Sequence, residues 1–284
     1  MTGDLPIEPL QVLFEEKDLR SAELPEPLQT LYAGGFEIEE PRVYANFVAT
    51  IDGVVSVPGL PRSNQLVAQA SAGDRLVMGL LRAYADCVLV GAGTLAGSPR
   101  GTWLAERVFP PAAYAFAQLR HARGQAPKPE IAVLTGRGSI DPRHPVLAGR
   151  AVVLTSEAGA ERLGGRVPDS VEVIVLGEDP AIDPWRAVDA LRGRGHRSIL
   201  SEAGPHTFGS LVATGVADEL FLTISPLFLG DAGFASRNRL VEAADLLPDG
   251  VRSRLLSVRR HDRHLFLRYA IERTSVSSSN KEER

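Results

Sequence analysis

The stretch CVLVGAGTLAGSPRG, residues 87–101, runs four apolar residues into a turn with glycines at 91, 93 and 97. The spacing G-x-G-x-x-x-G is one residue longer than the dinucleotide fingerprint G-x-G-x-x-G. Such a turn can hold a phosphate, but its spacing points away from the doubly wound fold which that fingerprint marks. A second apolar run, residues 198–201, enters the turn EAGPHTFG at 202–209. Gly204 lets a ligand approach the backbone closely. Pro205 suits the first position of a helix, where its missing N–H costs nothing. The N–H groups of His206, Thr207 and Phe208 then point at an anion, and Thr207 adds a hydroxyl. The turn reads equally as a phosphate cradle or as a plain strand-to-helix connection, because short connections of this kind are common. Two such turns at one sheet edge have the reach to grip both ends of a dinucleotide.

Other chemistries lack their motifs. No G-K-[ST] is present, which weighs against an ATPase or kinase, and no G-x-S-x-G, which weighs against a serine hydrolase. The six histidines form no H-E-x-x-H pair, and with one cysteine a zinc deaminase site is excluded. No metal site is expected. Of the histidines only His206 is placed to touch a ligand; His261 and His264 fall in a predicted hairpin turn and read as solvated. Cys87 reads as a small core residue, inert through burial. A lone cysteine permits no disulfide within the chain, which fits a reducing cytoplasm.

The elements that must position these turns follow from apolar periodicity. Strands are predicted at 43–49, 87–91, 130–135, 151–155, 171–176, 198–201, 219–224, 255–260 and 265–271. Helices are predicted at 74–85, 110–123, 184–194 and 207–214, the third capped by Asp183 and stopped by Gly195. HDRH at 261–264 joins the last two strands as a hairpin. Strands alternating with helices imply an α/β protein, its sheet mostly parallel with helices on both faces, made mixed by the C-terminal hairpin. One domain over 41–273 is expected. Residues 1–40 read as an N-terminal extension with one short helix, and 274–284 as a disordered polar tail.

At 284 residues, 44% hydrophobic and 23% charged, the composition is that of an ordinary globular protein. The net charge of −4 offers no footprint for nucleic acid. No apolar run of membrane-spanning length exists, and the acidic N-terminus lacks a signal-peptide core.

Three segments in order, NFVATIDGVVS (46–56), LLRAYADCVLVGAGTL (80–95) and SILSEAGPHTFGSLVATGVADELFLTISPLFLG (198–230), resemble the riboflavin-biosynthesis reductase domain. Their counterparts there are its SLDG strand, its LRA-x-x-D…G-x-x-T-V segment and its EGGP-T-L…LVDEL…IAP-x-x-LG segment. The resemblance implies a dihydrofolate-reductase-like fold, NADPH as cofactor and a homodimer. ELFLTISPLFLG then serves either that interface or the core. Absence of the zinc deaminase domain likens the chain to stand-alone reductases. By the same resemblance Thr94 contacts the cofactor, and Gly204, Pro205, His206, Thr207, Phe208 and Gly209 wrap its phosphates. Ser63, Arg82 and Glu202 contact substrate, with Arg82 near its phosphate and Glu202 near its ribityl part. Asp52 matches the SLDG aspartate, or is simply a turn residue before Gly53. Glu202 and Asp52 are the candidate catalytic proton sources for hydride transfer to an imine carbon. Arg137 stands either near the cofactor's 2′-phosphate or free on the surface.

One departure matters. Where the family has T-V…D-[DN]-P-x-L-T, this chain has TLAGSPRGTW, so Ser98 or Gly97 stands where a cofactor- and loop-fixing aspartate belongs. The implied substrate is 5-amino-6-(5-phosphoribosylamino)uracil or a related intermediate. A pterin such as dihydrofolate on the same fold, or a non-catalytic NADP-binding role, remains open.

Overall fold

The computed structural model describes residues 6–60, 62–231, 233 and 236–273. The expected disordered tail, 274–284, lies outside them. The chain joins the fold earlier than its prolines suggest: β1 (Gln11–Glu15) and α1 (Leu28–Tyr32) precede β2 (Arg42–Thr50), and a turn through Gly53 leads to β3 (Val54–Ser56). Helices α2 (Ser63–Ala68) and α3 (Ala72–Tyr84) lead to β4 (Cys87–Gly91), which passes directly into α4 (Ala92–Gly97). Then α5 (Ala105–Val108) and α6 (Ala113–Ala122) return the chain to β5 (Glu130–Leu134). The alternation continues through β6 (Ala151–Thr155), α7 (Glu157–Leu163), β7 (Glu172–Val175), α8 (Pro184–Gly193), β8 (Ser198–Ser201), α9 (Pro205–Ala213) and β9 (Glu219–Ser225). A short β10 (Asn238–Arg239) pairs with β3, and β11 (Ser253–His261) and β12 (His264–Ile271) complete the fold.

The ten-stranded sheet has the order β1-β11-β12-β9-β2-β8-β4-β5-β6-β7. From β9 to β7 every ladder is parallel; β12, β11 and β1 add antiparallel ladders at one side. The central strands are apolar throughout because both faces are covered. In β4, Val88 and Val90 join the core under α3, α5 and α6, while Cys87 and Leu89 join the core under α8 and α9. Helices on both faces and a C-terminal hairpin are thus observed. Strand β9 is hydrogen-bonded on both edges, to β2 and β12, so ELFLTIS is core and its edges are not free for a partner.

The N-terminal segment is no appendage. Leu10, Leu24, Leu28, Leu31, Tyr32, Phe36 and Ile38 are buried in the first core. Two buried arginines fasten it: Arg259 donates to the Tyr32 carbonyl (3.0 Å) and Glu15 (2.6 Å), and Arg268 to the Glu37 carbonyl (2.8 Å). A five-residue helix between prolines is too short to declare a period. His264 also departs from expectation, being 5% exposed rather than solvated. It opens β12 facing inward, and the start of α3 closes on the hairpin so tightly that a Cβ at Gly73 would lie 2.9 Å from the Phe266 ring.

Candidate functional site

Strands β4 and β8 are parallel neighbours, so the two glycine turns leave the sheet side by side, where ligands of open α/β sheets bind. The amide of Glu202 extends the ladder by donating to the Leu89 carbonyl at 2.9 Å. Beyond it the turns run close together. A Cβ at Gly204 would lie 3.7 Å from Thr94 Oγ1, and one at Gly91 3.7 Å from Thr207 Oγ1. Both turns line a cavity of about 1020 Å³, large enough for a dinucleotide and a small second ligand. A Cβ at Gly93 or Gly97 would meet nothing within 4 Å, so backbone is bare to the cavity there.

Helix α9 has Gly204 as N-cap, with no side chain capping it. Pro205 brings no N–H, and the Phe208 N–H donates to the Gly204 carbonyl at 3.1 Å. That leaves the N–H groups of His206 and Thr207 for an anion, two rather than the expected three. Phe208 and Gly209 stand apart from the cavity. Phe208 is 2% exposed and packs its ring 5.0 Å from that of Phe47. Gly209 has no room for a side chain: a Cβ would come 2.3 Å from the Glu242 carbonyl oxygen. The loop carrying Glu242 and Ala244 fills that space above α9.

Thr94 lies in the first turn of α4, and Ser98 ends that helix; both line the cavity. The loop lacking the family's aspartate is held another way. The Nε2–H of buried His144 donates to the Ser98 carbonyl at 3.0 Å, while its Nδ1 accepts from the Val146 amide at 3.3 Å. The two bonds together fix one tautomer. Trp103 packs 6.0 Å from the His144 ring and blocks any side chain at Gly101, where a Cβ would be 2.8 Å away. Nothing local in the sequence marks His144, which lies 46 positions from Ser98.

The floor of the cavity is an ion pair. Arg82 Nε donates to Glu202 Oε1 at 2.9 Å and Nη2 to Oε2 at 2.6 Å, a fork-on-fork arrangement. The side chains are only 11% and 9% exposed. Arg82, matched by resemblance to a phosphate contact, thus has its fork turned to Glu202. Arg62, Arg100 and Arg107 also line the cavity, and no carboxylate among the described residues pairs with them. Ser63 is buried, its Oγ accepting from the Val57 amide at 3.1 Å, and it lines the same wall.

Asp52 does not line the cavity. Its carboxylate accepts from the Thr50 hydroxyl and from the amides of Leu229 (3.2 Å) and Gly230 (2.7 Å). The Thr50 bond, aided by the two amides, holds it below the usual carboxylate range. Gly53 follows at φ +83°, so the Asp-Gly turn reading describes this position.

An acid missing from the sequence reading takes a place there. Asp74, in the first turn of α3, is 3% exposed yet lines the cavity. Burial pushes it up to about 6; the Thr223 hydroxyl within hydrogen-bonding reach opposes the rise, and neighbouring Glu202 adds to it. The signal was available: Asp74 lies at i, i+3, i+7 with Val77 and Leu81, on the apolar stripe itself.

The fold and site together define an α/β protein with an anion cradle at the carboxyl edge of parallel strands and a polar floor beneath it. The family model of the RibD C-terminal domain matches residues 41–266, and the chain belongs to that family. It is an oxidoreductase of riboflavin biosynthesis. A relative from Archaeoglobus fulgidus, 2,5-diamino-6-ribosylamino-4(3H)-pyrimidinone 5′-phosphate reductase, is 28% identical over 196 residues, covering 67% of this chain and 82% of its own. A pyrimidine reductase-like protein from Corynebacterium diphtheriae shares the fold with TM-score 0.65 and 23% identity, over 82% of this chain and 92% of that one. The riboflavin biosynthesis reductase Rib7 of Saccharomyces cerevisiae does so with TM-score 0.53 and 14% identity, over 84% and 94%.

Proposed function

We propose that this protein reduces a ribosylaminopyrimidine 5′-phosphate with NADPH. The carrying observation is the convergence of the two glycine turns on one cavity, lined by Gly91, Gly93, Thr94, Gly204, His206 and Thr207. Thr94, Gly204, Pro205, His206 and Thr207 would hold the dinucleotide's phosphates, where a helix N-terminus favours negative charge. When bound, the cofactor supplies a hydride. The chain's own residues bind, orient and exclude water. The Arg82–Glu202 pair lies at the end of β8 and presents polar groups to a sugar. Arg62, Arg100 and Arg107 give the cavity a cationic rim suited to a phosphate, since guanidinium offers a fixed fork of donors. Arg137, exposed just beyond β5, is the candidate partner for the 2′-phosphate that separates NADPH from NADH.

No helix among the described residues is long and apolar enough to cross a membrane. A cytoplasmic site of action fits the buried free thiol of Cys87, and a homodimer is the expected assembly. The test is a fluorescence titration with NADPH and NADH, then cofactor oxidation with 5-amino-6-(5-phosphoribosylamino)uracil, its 2-amino counterpart and dihydrofolate. Saturable binding and turnover of a ribosylaminopyrimidine are expected. No association at millimolar cofactor overturns the reading, and binding without turnover leaves only a non-catalytic role.

A further inference from the structure

We propose that Asp74 is the acid that protonates the substrate during reduction. The inference rests on the reading that the substrate is a ribosylaminopyrimidine. Among the described residues, the cavity wall carries two carboxyl groups, Asp74 and Glu202. Both oxygens of Glu202 accept from Arg82, at 2.9 and 2.6 Å, so its position suits orientation. Asp52 lies off the wall with its acceptors filled by the 229–230 loop. His206 is exposed at the helix N-terminus, on the side where the cofactor's phosphates would sit. Asp74 alone is both buried and cavity-lining without a salt-bridge partner within 4 Å.

Its surroundings favour holding a proton. Arg75 and Arg82 on its own helix and Glu202 just after β8 are the charges acting on it, and Thr223 on β9 faces it. From the hairpin side, His261 packs against Gly73, one residue before. Burial outweighs the arginines, so the neutral acid persists to about pH 6.

The C1′–O4′ bond of the sugar breaks, its electron pair stays on O4′, and O4′ takes the Asp74 proton. The exocyclic nitrogen lone pair forms the C1′=N bond of a cationic imine. The cofactor, when bound, would supply the hydride that C1′ accepts, and the C=N π pair would return to nitrogen. Asp74, left as carboxylate, recovers a proton from water.

Asp74→Asn and Asp74→Glu test this in the full chain. For Asp74→Asn, kcat should fall about 10²–10⁴-fold, the usual contribution of a general acid, with KM little changed. The native kcat should fall about tenfold per pH unit above roughly 6, a slope that Asp74→Asn loses and Asp74→Glu keeps. A ligand-free measurement accompanies these. A folded-state value above the unfolded one stabilises the protein at low pH, and that contribution is lost as pH rises from about 4 through about 6. The native Tm should therefore drop across that window relative to Asp74→Asn. An active native enzyme whose Asp74→Asn variant keeps kcat within about threefold, a change too small for a general acid, overturns the assignment. Parallel Tm curves for the two proteins overturn it as well. A native protein that turns over no ribosylaminopyrimidine is a different result, and it removes the functional reading and the assignment together.

Discussion

Asp52 and Glu202 both stand at the carboxyl ends of strands, one after β2 and one after β8, and both carboxylates are filled by hydrogen bonds. Their partners differ. Asp52 is satisfied by a hydroxyl and two backbone amides, so it ties the β2–β3 turn to the 229–230 loop and faces away from the cavity. Glu202 is satisfied by one guanidinium that itself lines the cavity. A carboxylate closed by backbone builds a loop. One closed by a side chain keeps that side chain's remaining donors available to a ligand. Residue type places an acid at a sheet edge; its donor decides whether it organises structure or substrate.

The largest test of this contrast is Glu202→Ala. It strands Arg82, whose side chain is 11% exposed, and breaking a buried pair in this way costs about 3–5 kcal/mol. Urea denaturation should show that loss, and turnover should fall with it. Pairing Arg82→Met with Glu202→Leu should restore much of the stability and none of the activity. If stability stays within error in the single variant, the pair is not the floor described.

Gly209→Ala comes next. Forcing a Cβ toward the Glu242 carbonyl should cost about 1–3 kcal/mol, the usual penalty of overpacking, while NADPH affinity of the folded fraction stays constant. Weakened NADPH binding at unchanged stability would return Gly209 to the cradle. Arg100→Ala and Arg107→Ala follow. Each should raise KM for the 5′-phosphate about tenfold, as expected from losing one charge-assisted bond of about 1.5 kcal/mol, and leave a dephosphorylated analogue unaffected.

Asp52→Asn should have the smallest catalytic effect, with kcat/KM within about twofold of native, as for substitutions away from a reacting centre. Its mark is on stability. Asp52 is held below the ordinary range, so it stabilises the fold above its unfolded value, and that contribution is lost as pH falls through the lower folded one. Melting curves of native and variant should therefore differ at neutral pH and converge in acid. Loss of turnover at unchanged Tm would reinstate Asp52 as a catalytic group.

Local patterns along the chain set the alternation of strands and helices, the terminal hairpin and the place of both glycine turns. Each depends on apolar period, caps and glycine conformations, which are local. The family was legible for the same reason, from three contiguous motifs. Which side chains meet is a matter of packing between distant segments. Arg82 and Glu202 are 120 positions apart. His144 takes over the loop that lacks an aspartate from 46 positions away. The strand β1, short and exposed, gains its meaning only by pairing with β11. The Asp74 carboxyl is pushed up only because the packed chain buries it beside Thr223 and Glu202, since burial and neighbouring charge are properties of the packed chain and not of the residue.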